Sequence, residues 1–314
     1  MTACKLPAHP HVAVLMGGIS SEREVSLSSG AQVAQALQGL GLVVTAIDVA
    51  DDLPKLVAAL AAAKPDVVFN ALHGRFGEDG AIQGVLEWMN IPYTHSGVLA
   101  SAVAMDKAAA RAIFTQAGLP VAGGLLVTPA QLLESDPLPR PYVIKPLNEG
   151  SSVGVDILFD GDNRREEIAR NWHYGPLALV EEFIPGRELT VAVLGDKALC
   201  VTEISASNQF YDYASKYQAG GSRHVLPAPI PPAAAEKACE LALAAHLALG
   251  LSGASRTDFR YDDTKSDPGR LVILETNTQP GMTPTSLLPE QAAYCGLPFA
   301  QLCLWMVEQA RCRV

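Results

Sequence analysis

The run Leu271-Val-Ile-Leu-Glu-Thr-Asn-Thr-Gln-Pro-Gly-Met-Thr-Pro-Thr-Ser286 constrains this chain more than any other stretch. Four consecutive apolar residues without polar alternation predict a strand covered on both faces. The strand stops at a carboxylate, Glu275, and an amide, Asn277, follows two residues later. Because strand side chains alternate, both oxygen-bearing groups project to the same side. Hard divalent cations such as Mg²⁺ take oxygen ligands of this kind, usually one or two carboxylates completed by substrate phosphates. Pro280-Gly281 then turns the backbone, and Gly281 leaves an N–H that a substrate can approach closely. Taken alone, the stretch fits a magnesium-nucleotide site at a strand end, and it also fits a buried strand with an ordinary loop.

With 314 residues the chain can bury a large core and has room for two or three domains. Hydrophobic residues make up 49% and charged residues 18%, a globular composition. A formal net charge of −10 argues against nucleic acid as a partner, which requires a cationic face. Phosphate ligands remain open, since a few local cations and backbone N–H groups suffice for them. The cysteines, at positions 4, 200, 239, 295, 303 and 312, form no C-x-x-C pair and fit neither a zinc site nor a small disulfide framework. Free thiols in a reducing compartment are the simplest account. No signal-like core or membrane-length apolar stretch is expected to anchor the chain, and the apolar run Leu241 to Leu251 is short and contains His246. The expectation is a soluble, cytoplasmic protein with no membrane partner.

Along the chain, His11 to Met16 is an apolar run ending in Gly17-Gly18, and Ser21-Glu-Arg-Glu24 matches a helix capping box. Strand, glycine turn and helix predict the start of an open α/β sheet. The segments Leu42 to Val49 and Asp66 to Leu72 read as further strands separated by a helix over Pro54 to Ala63, an alternation that implies a parallel sheet. The third strand runs into His73-Gly-Arg-Phe-Gly-Glu-Asp-Gly80. Ligands of such sheets lie beyond the carboxyl ends of strands, so His73 is either a substrate neighbour or a solvent-exposed loop histidine. Ile91 to Thr94 suggests a fourth strand and Ala100 to Ala117 a helix.

Gly118 and Pro120 end that helix. Arg140 to Pro146 reads as a strand carrying Lys145 in an apolar run; a buried lysine is costly without a partner, so Lys145 is expected to face a bound anion. Asn148-Glu-Gly-Ser-Ser-Val-Gly154 has the small residues of a backbone that folds over phosphates, but not the ending of a Walker A loop. Further strands are expected at Ala178 to Ile184, Glu188 to Leu194 and Ala198 to Ile204, the last two antiparallel. Ser205 to Pro232 has no periodic pattern but is rich in tyrosine, which suggests a functional lid. A helix over Ala233 to Leu249, a strand over Gly253 to Tyr261 and a closing helix over Leu297 to Arg311 complete the pattern. Arg256 and Asp258 lie two apart, so pairing with the final strand would bring Arg256, Asp258, Glu275 and Asn277 to one surface.

These motifs together resemble the D-alanine–D-alanine ligases of the ATP-grasp superfamily. The segments are Gly17-Gly-Ile-Ser-Ser-Glu-Arg-Glu-Val-Ser26, Ala71-Leu-His-Gly74, Met105-Asp-Lys107, Glu149-Gly-Ser-Ser-Val-Gly154, Tyr211-Asp-Tyr-Ala-Ser-Lys-Tyr217 and Glu275-Thr-Asn-Thr-Gln-Pro-Gly-Met-Thr283, all in the family's order. The resemblance implies an α/β, three-domain ATP-grasp fold. Residues 1–102 would form an open parallel-sheet substrate domain, 103–184 a central α+β domain with the glycine-rich loop, and 185–314 a catalytic α+β domain with a lid at 205–226. It also implies a cytoplasmic homodimer using D-alanine and ATP for peptidoglycan precursor synthesis.

Carried over residue by residue, the resemblance makes Asp258, Glu275 and Asn277 ligands of two Mg²⁺ ions, with Mn²⁺ as a substitute and a monovalent cation as a further requirement in some relatives. It places Lys107, Lys145 and Lys216 on the phosphates, Glu181 and Phe183 at adenine, and Glu188 on the ribose. Many relatives have Lys-Trp where this chain has Glu182-Phe183, so either side chain could pack on the base. The resemblance puts Glu22 and His73 at the first D-alanine, Arg256 and the Gly281 N–H at the tetrahedral oxyanion, and Ser286 with the Leu287 N–H at the second D-alanine's carboxylate. Glu22, Ser151 and Tyr217 would link across the closed lid. Two rival readings are a D-alanine–D-lactate ligase, whose relatives lack the Tyr-Asp-Tyr…Lys-Tyr lid, and a non-catalytic nucleotide-binding regulator, which would be expected to have lost a lysine, the arginine or a metal ligand.

Overall fold

The computed structural model describes residues 6–150, 153–206, 222–264 and 268–312. Its first sheet is parallel, with strands β1 (His11–Gly17), β2 (Val43–Val49) and β3 (Val67–Asn70) in the order β2-β1-β3. Parallel neighbours need crossovers, supplied by helices α1 (Arg23–Gly39) and α2 (Leu53–Ala63). A Cβ on Gly30 would lie 2.4 Å from the Cβ of Met16, so glycine lets α1 pack on β1. Asp52 caps α2 by accepting from the Lys55 N–H. The Ser21–Glu24 capping box does not form as expected: α1 starts at Arg23 with Glu22 as its N-cap residue, and no side-chain cap bond is made. Ser20 takes the local role instead, its Oγ accepting from the Glu22 N–H and donating to the His73 carbonyl.

Two expected elements are shorter than their sequence patterns. Ile91 to Thr94 contributes only isolated bridges, Tyr93 to Val68 and Tyr93 to Arg311, because Pro92 has no N–H to extend a ladder. The helix expected over Ala100 to Ala117 is two helices, α4 (Val98–Met105) and α5 (Lys107–Gln116). Asp106 between them is extended, and its carboxylate accepts from Ala109 N–H, so an N-cap outcompetes helix continuation. Helix α3 (Ala81–Trp88) precedes this pair.

A four-stranded antiparallel sheet comprises β4 (Gly124–Val127), β5 (Tyr142–Lys145), β6 (Asp156–Leu158) and β7 (Ala178–Glu182), in the order β4-β7-β5-β6. Helices α6 (Pro129–Glu134) and α7 (Arg165–Arg170) cover it, burying Leu132 and Ala169 against Tyr142, Ile144 and Val180. Here the capping box is real: Thr128 and Gln131 satisfy each other's backbone N–H groups.

The third sheet holds β8 (Arg187–Leu194), β9 (Lys197–Ala206), β10 (Ser222–Val225), β11 (Ala254–Asp262) and β12 (Arg270–Asn277), all antiparallel, in the order β10-β9-β8-β11-β12. Helix α8 (Pro232–Ala248) covers one face. β10 falls inside the stretch read as aperiodic, paired with β9 through four residues too few to show a repeat. β12 is an edge strand, yet its two faces enter different cores. Leu271 and Ile273 pack in the α8 core, while Val272 meets Ala122 and Ile184. The Ile273 N–H is used by the Pro120 carbonyl, so part of the edge is satisfied.

After β12 come α9 (Leu287–Tyr294), which the sequence pattern did not show, and α10 (Phe299–Glu308), shorter than the expected closing helix. Both return to the first sheet: Leu288, Leu302, Met306 and Val307 share a core with Val12, Leu37 and Phe69. This return carries the end of β12 to the carboxyl ends of β1 and β3.

Candidate active site

Two adjoining cavities meet at Lys107, Glu149 and Glu275. The first lies where the loops after β1 and β3 face the end of β12. Glu22 and His73 come from the first sheet, Arg256 from β11, and Glu275, Asn277, Gly281, Ser286 and Leu287 from β12 and the turn into α9. Gly74 adopts φ +64°, and a Cβ there would come within 2.9 Å of Ser20 and 3.2 Å of a Glu22 oxygen, so the His73-Gly74 turn requires glycine. Ser286 Oγ lies 3.0 Å from where a Cβ on Gly281 would be, so glycine also allows the loop to close on α9. Ser286 is held by Thr283, whose Oγ1 is 2.8 Å away.

The charges in this cavity are shaped by burial. His73 is 6% exposed, and desolvation holds it below its ordinary value, the Glu22 carboxylate opposing and the Arg256 cation adding to the effect. Glu78, which also lines the cavity, is pushed up to about 8, first by burial and then by Glu22, while the Gly74 N–H donating to its Oε1 at 2.8 Å pulls the other way.

The antiparallel register places Asp258 opposite Glu275 and Arg256 opposite Asn277, so the four side chains expected on one surface do converge. The register shifts immediately afterwards, with Phe259 opposite Ile273. Arg256 grips Asp258 with two prongs, Nε to Oδ1 at 2.8 Å and Nη2 to Oδ2 at 2.7 Å, and Thr190 Oγ1 donates to the same carboxylate at 2.6 Å. Asn277 Oδ1 accepts from the Gln279 N–H at 2.7 Å. Gln279, 1% exposed, accepts from Asn70 at 2.9 Å and donates to the Leu72 carbonyl, which ties the end of β12 to the end of β3.

The second cavity lies between the four-stranded sheet and β12, and holds Lys145, Glu181, Phe183, Glu188 and Asp258 besides Lys107 and Glu275. Lys145, expected to face a bound anion, bonds to Glu181 on the neighbouring β7, and Arg111 of α5 bonds to the same carboxylate. Burial explains this, since a lysine 7% exposed needs a counter-charge already in the protein. Glu182 turns to Arg270 at 2.7 Å and accepts from the Gly123 N–H, whereas the Phe183 ring packs edge-on against Phe159 with centroids 5.4 Å apart. Glu188 faces Arg260 at 3.9 Å.

Ser151, Lys216 and Tyr217 lie outside the described residues, as does most of the 205–226 lid. The other residues named from the sequence line one or both cavities. The sequence reading missed Glu78, Glu149, Arg111, His224 and Gln279. Glu78 lies within the loop already singled out for His73, and Glu149 within the glycine-rich run. Arg111 and His224 carried no local signal, because their partners are distant in the chain.

Family models match this chain over most of its length: residues 51–96 match the D-ala D-ala ligase N-terminus and residues 113–308 the D-ala D-ala ligase C-terminus. The chain belongs to the D-alanine–D-alanine ligase family. Within it, the chain is 68% identical to the D-alanine–D-alanine ligase of Granulibacter bethesdensis over 302 residues, covering 96% of this chain and 98% of the relative. It is 65% identical to that of Acidiphilium cryptum, covering 96% and 99%. The fold superposes on the crystal structure of the Bacillus anthracis D-alanine–D-alanine ligase with TM-score 0.82 at 30% identity, covering 95% of this chain and 96% of that one. The same enzyme complexed with ATP gives TM-score 0.80 at 27% identity, covering 96% and 97%. The family's fold, an ATP-grasp arrangement of mixed parallel and antiparallel sheets, is therefore the fold of this chain.

Proposed function

We propose that this protein joins two D-alanine molecules into D-alanyl-D-alanine at the expense of ATP, supplying a peptidoglycan precursor in the cytoplasm. One observation carries the reading: a cavity lined by substrate-type groups and a cavity lined by nucleotide-type groups share a lysine and a carboxylate, Lys107 and Glu275. That is the arrangement needed to pass a phosphoryl group from one ligand to the other. ATP lies in the second cavity, its base beside Glu181 and Phe183, its ribose on Glu188, and its phosphates on Lys107 and Lys145, with Lys216 the further cation that the family resemblance implies.

The first D-alanine sits with its ammonium on Glu22, close to His73. Its carboxylate takes the γ-phosphoryl group, giving D-alanyl phosphate and ADP. The amine of the second D-alanine, whose carboxylate rests on Ser286 Oγ and the Leu287 N–H, attacks the acyl carbon. Arg256 and the Gly281 N–H receive the negative charge on the carbonyl oxygen, the C–O bond to phosphate breaks, and phosphate leaves. The family resemblance would have Glu22, Ser151 and Tyr217 link across a lid over 205–226, and such closure would exclude water that hydrolyses the acyl phosphate.

Asp258, Glu275 and Asn277 present hard oxygen donors on adjacent strand positions, which suits two Mg²⁺ ions, or Mn²⁺, completed by phosphate oxygens. Among the described residues no group of three His, Cys, Asp or Glu side chains could hold a metal without such help. Bound metal neutralises phosphate charge during transfer. A monovalent cation is a further candidate requirement. Because Asp258 is gripped by Arg256 and Glu275 by Lys107, loading the site exchanges these protein contacts for metal and phosphate.

The three separate sheets support a division into residues 1–102, 103–184 and 185–314. A homodimer is supported by large apolar side chains left exposed in the N-terminal part, notably Trp88 and Val43; its test is the mass in solution. No helix among the described residues is long and apolar enough to cross a membrane. The deciding experiment measures phosphate release from Mg-ATP with D-alanine, L-alanine, D-lactate and D-serine. D-alanine should give the highest rate. ATP binding without D-alanine-dependent phosphate release would reject the ligase reading in favour of a regulator, and a preference for D-lactate would assign a hydroxyl nucleophile.

A further inference from the structure

His224 on β10 lines the first cavity, together with Ser286 and Leu287. Its Nδ1 lies 2.7 Å from Glu290 Oε2. Glu290 sits in the first turn of α9, and its N–H donates to the Ser286 carbonyl at 3.0 Å. The carboxylate that holds the imidazole therefore rises one helical turn from the serine at the mouth of the same helix. The other ring nitrogen, Nε2, is enclosed and has no hydrogen-bond partner among the described residues. An enclosed ring nitrogen without a partner is costly unless a ligand or water completes it.

We propose that His224, aimed by Glu290, is a further specificity-determining contact for the carboxylate of the second substrate, in addition to Ser286 and the Leu287 N–H. With Nδ1–H donated to Glu290, Nε2 is the ring nitrogen left without a partner among the described residues, and in a doubly protonated ring Nε2–H would be a charge-assisted donor suited to a carboxylate. The peptide N–H groups at the start of α9 favour the same negative group. Glu290 acts through His224 and is a positioning residue. His224 thus favours a free carboxylate on the attacking amino acid, where a neutral amide would offer Nε2–H only an uncharged, weaker acceptor.

This proposal rests on the ligase reading and on the second-substrate subsite at Ser286. The test compares D-alanine with D-alaninamide as acceptor, using wild type, His224→Gln and Glu290→Gln, with the KM values for ATP and for the first D-alanine measured alongside. His224→Gln should raise the second-site KM for D-alanine about 10- to 100-fold, change kcat less than about threefold, and leave the other two KM values within about twofold. The preference for D-alanine over D-alaninamide should shrink by the same factor as the KM rises, an effect that loosened packing would not produce. Glu290→Gln should move both quantities in the same direction by a smaller amount, and it gives an independent reading if the His224 variant folds poorly. An unchanged second-site KM, or an unchanged acceptor preference, in active variants would overturn the role of His224. Wild-type protein inert toward D-alanine would overturn the ligase reading itself, and this proposal with it.

Discussion

Lys107 Nζ lies 3.1 Å from Glu275 Oε2 and donates to the Glu149 carbonyl at 2.7 Å, so one cation joins the end of β12 to the glycine-rich run across the seam of the two cavities. Lys107 is the first residue of α5, and it reaches the seam because Asp106 breaks the helix immediately before it. The lysine charge faces the carboxylate proposed as a metal ligand, so a bound metal would compete with this pair.

Glu275→Gln should therefore abolish turnover while keeping the fold. We expect phosphate release to fall at least about a thousandfold, since the metal loses a charged ligand, with a change in unfolding free energy of about 1 kcal/mol or less because the carboxylate is partly exposed. Steady-state assays at saturating Mg²⁺, with chemical denaturation of the same variant, check this. An unchanged kcat would remove Glu275 from the metal site.

Arg256→Lys tests the two-pronged grip on Asp258. Lysine keeps the charge but cannot reproduce the planar fork, so both the proposed oxyanion donor, Arg256, and the proposed metal ligand, Asp258, would lose their fixed positions. The expected result is a kcat lower by about 100- to 1000-fold with an ATP KM within a few-fold of wild type. A variant with near-normal kcat would show that charge alone suffices at this position.

Glu78 should make the ligand-free protein less stable as pH rises. Its carboxyl is held at about 8 in the folded state against an ordinary 4.5, so between these values the folded protein carries a proton that the unfolded chain lacks. Stability from this group is fully present below 4.5 and is lost as pH rises through about 8. Glu78→Gln should flatten the fall in unfolding free energy over that window, by about 2–4 kcal/mol at its upper end. Parallel pH-dependent slopes for the two proteins would show that Glu78 does not titrate there.

Gln279→Ala should cost about 2–3 kcal/mol, because Asn70 and the Leu72 carbonyl are left buried without their partner. It should also lower kcat, since without its side-chain anchors the backbone at residue 279, whose N–H donates to Asn277 Oδ1, is free to shift. Denaturant unfolding gives the first quantity and steady-state kinetics at saturating Mg²⁺ the second. A stable variant with normal kcat would show that the β3–β12 tie is dispensable.

Most of the elements, and the polar side chains presented at the end of β12, were legible from the amino-acid sequence alone. Period-two spacing fixes that Glu275 and Asn277 share a side, as Arg256 and Asp258 do, and four apolar residues in a row demand cover on both faces. Short elements such as β6 and β10 were not legible, since three or four residues carry no periodicity. Only the tertiary structure decided the pairings. Burial leaves Lys145 needing a counter-charge, and the β5–β7 register makes Glu181 available to it; Lys107 meets Glu275 because Asp106 ends α4; His224 meets Glu290 because β10 runs beside the start of α9. Those contacts depend on the distance between chain segments in space, which local sequence preference does not encode.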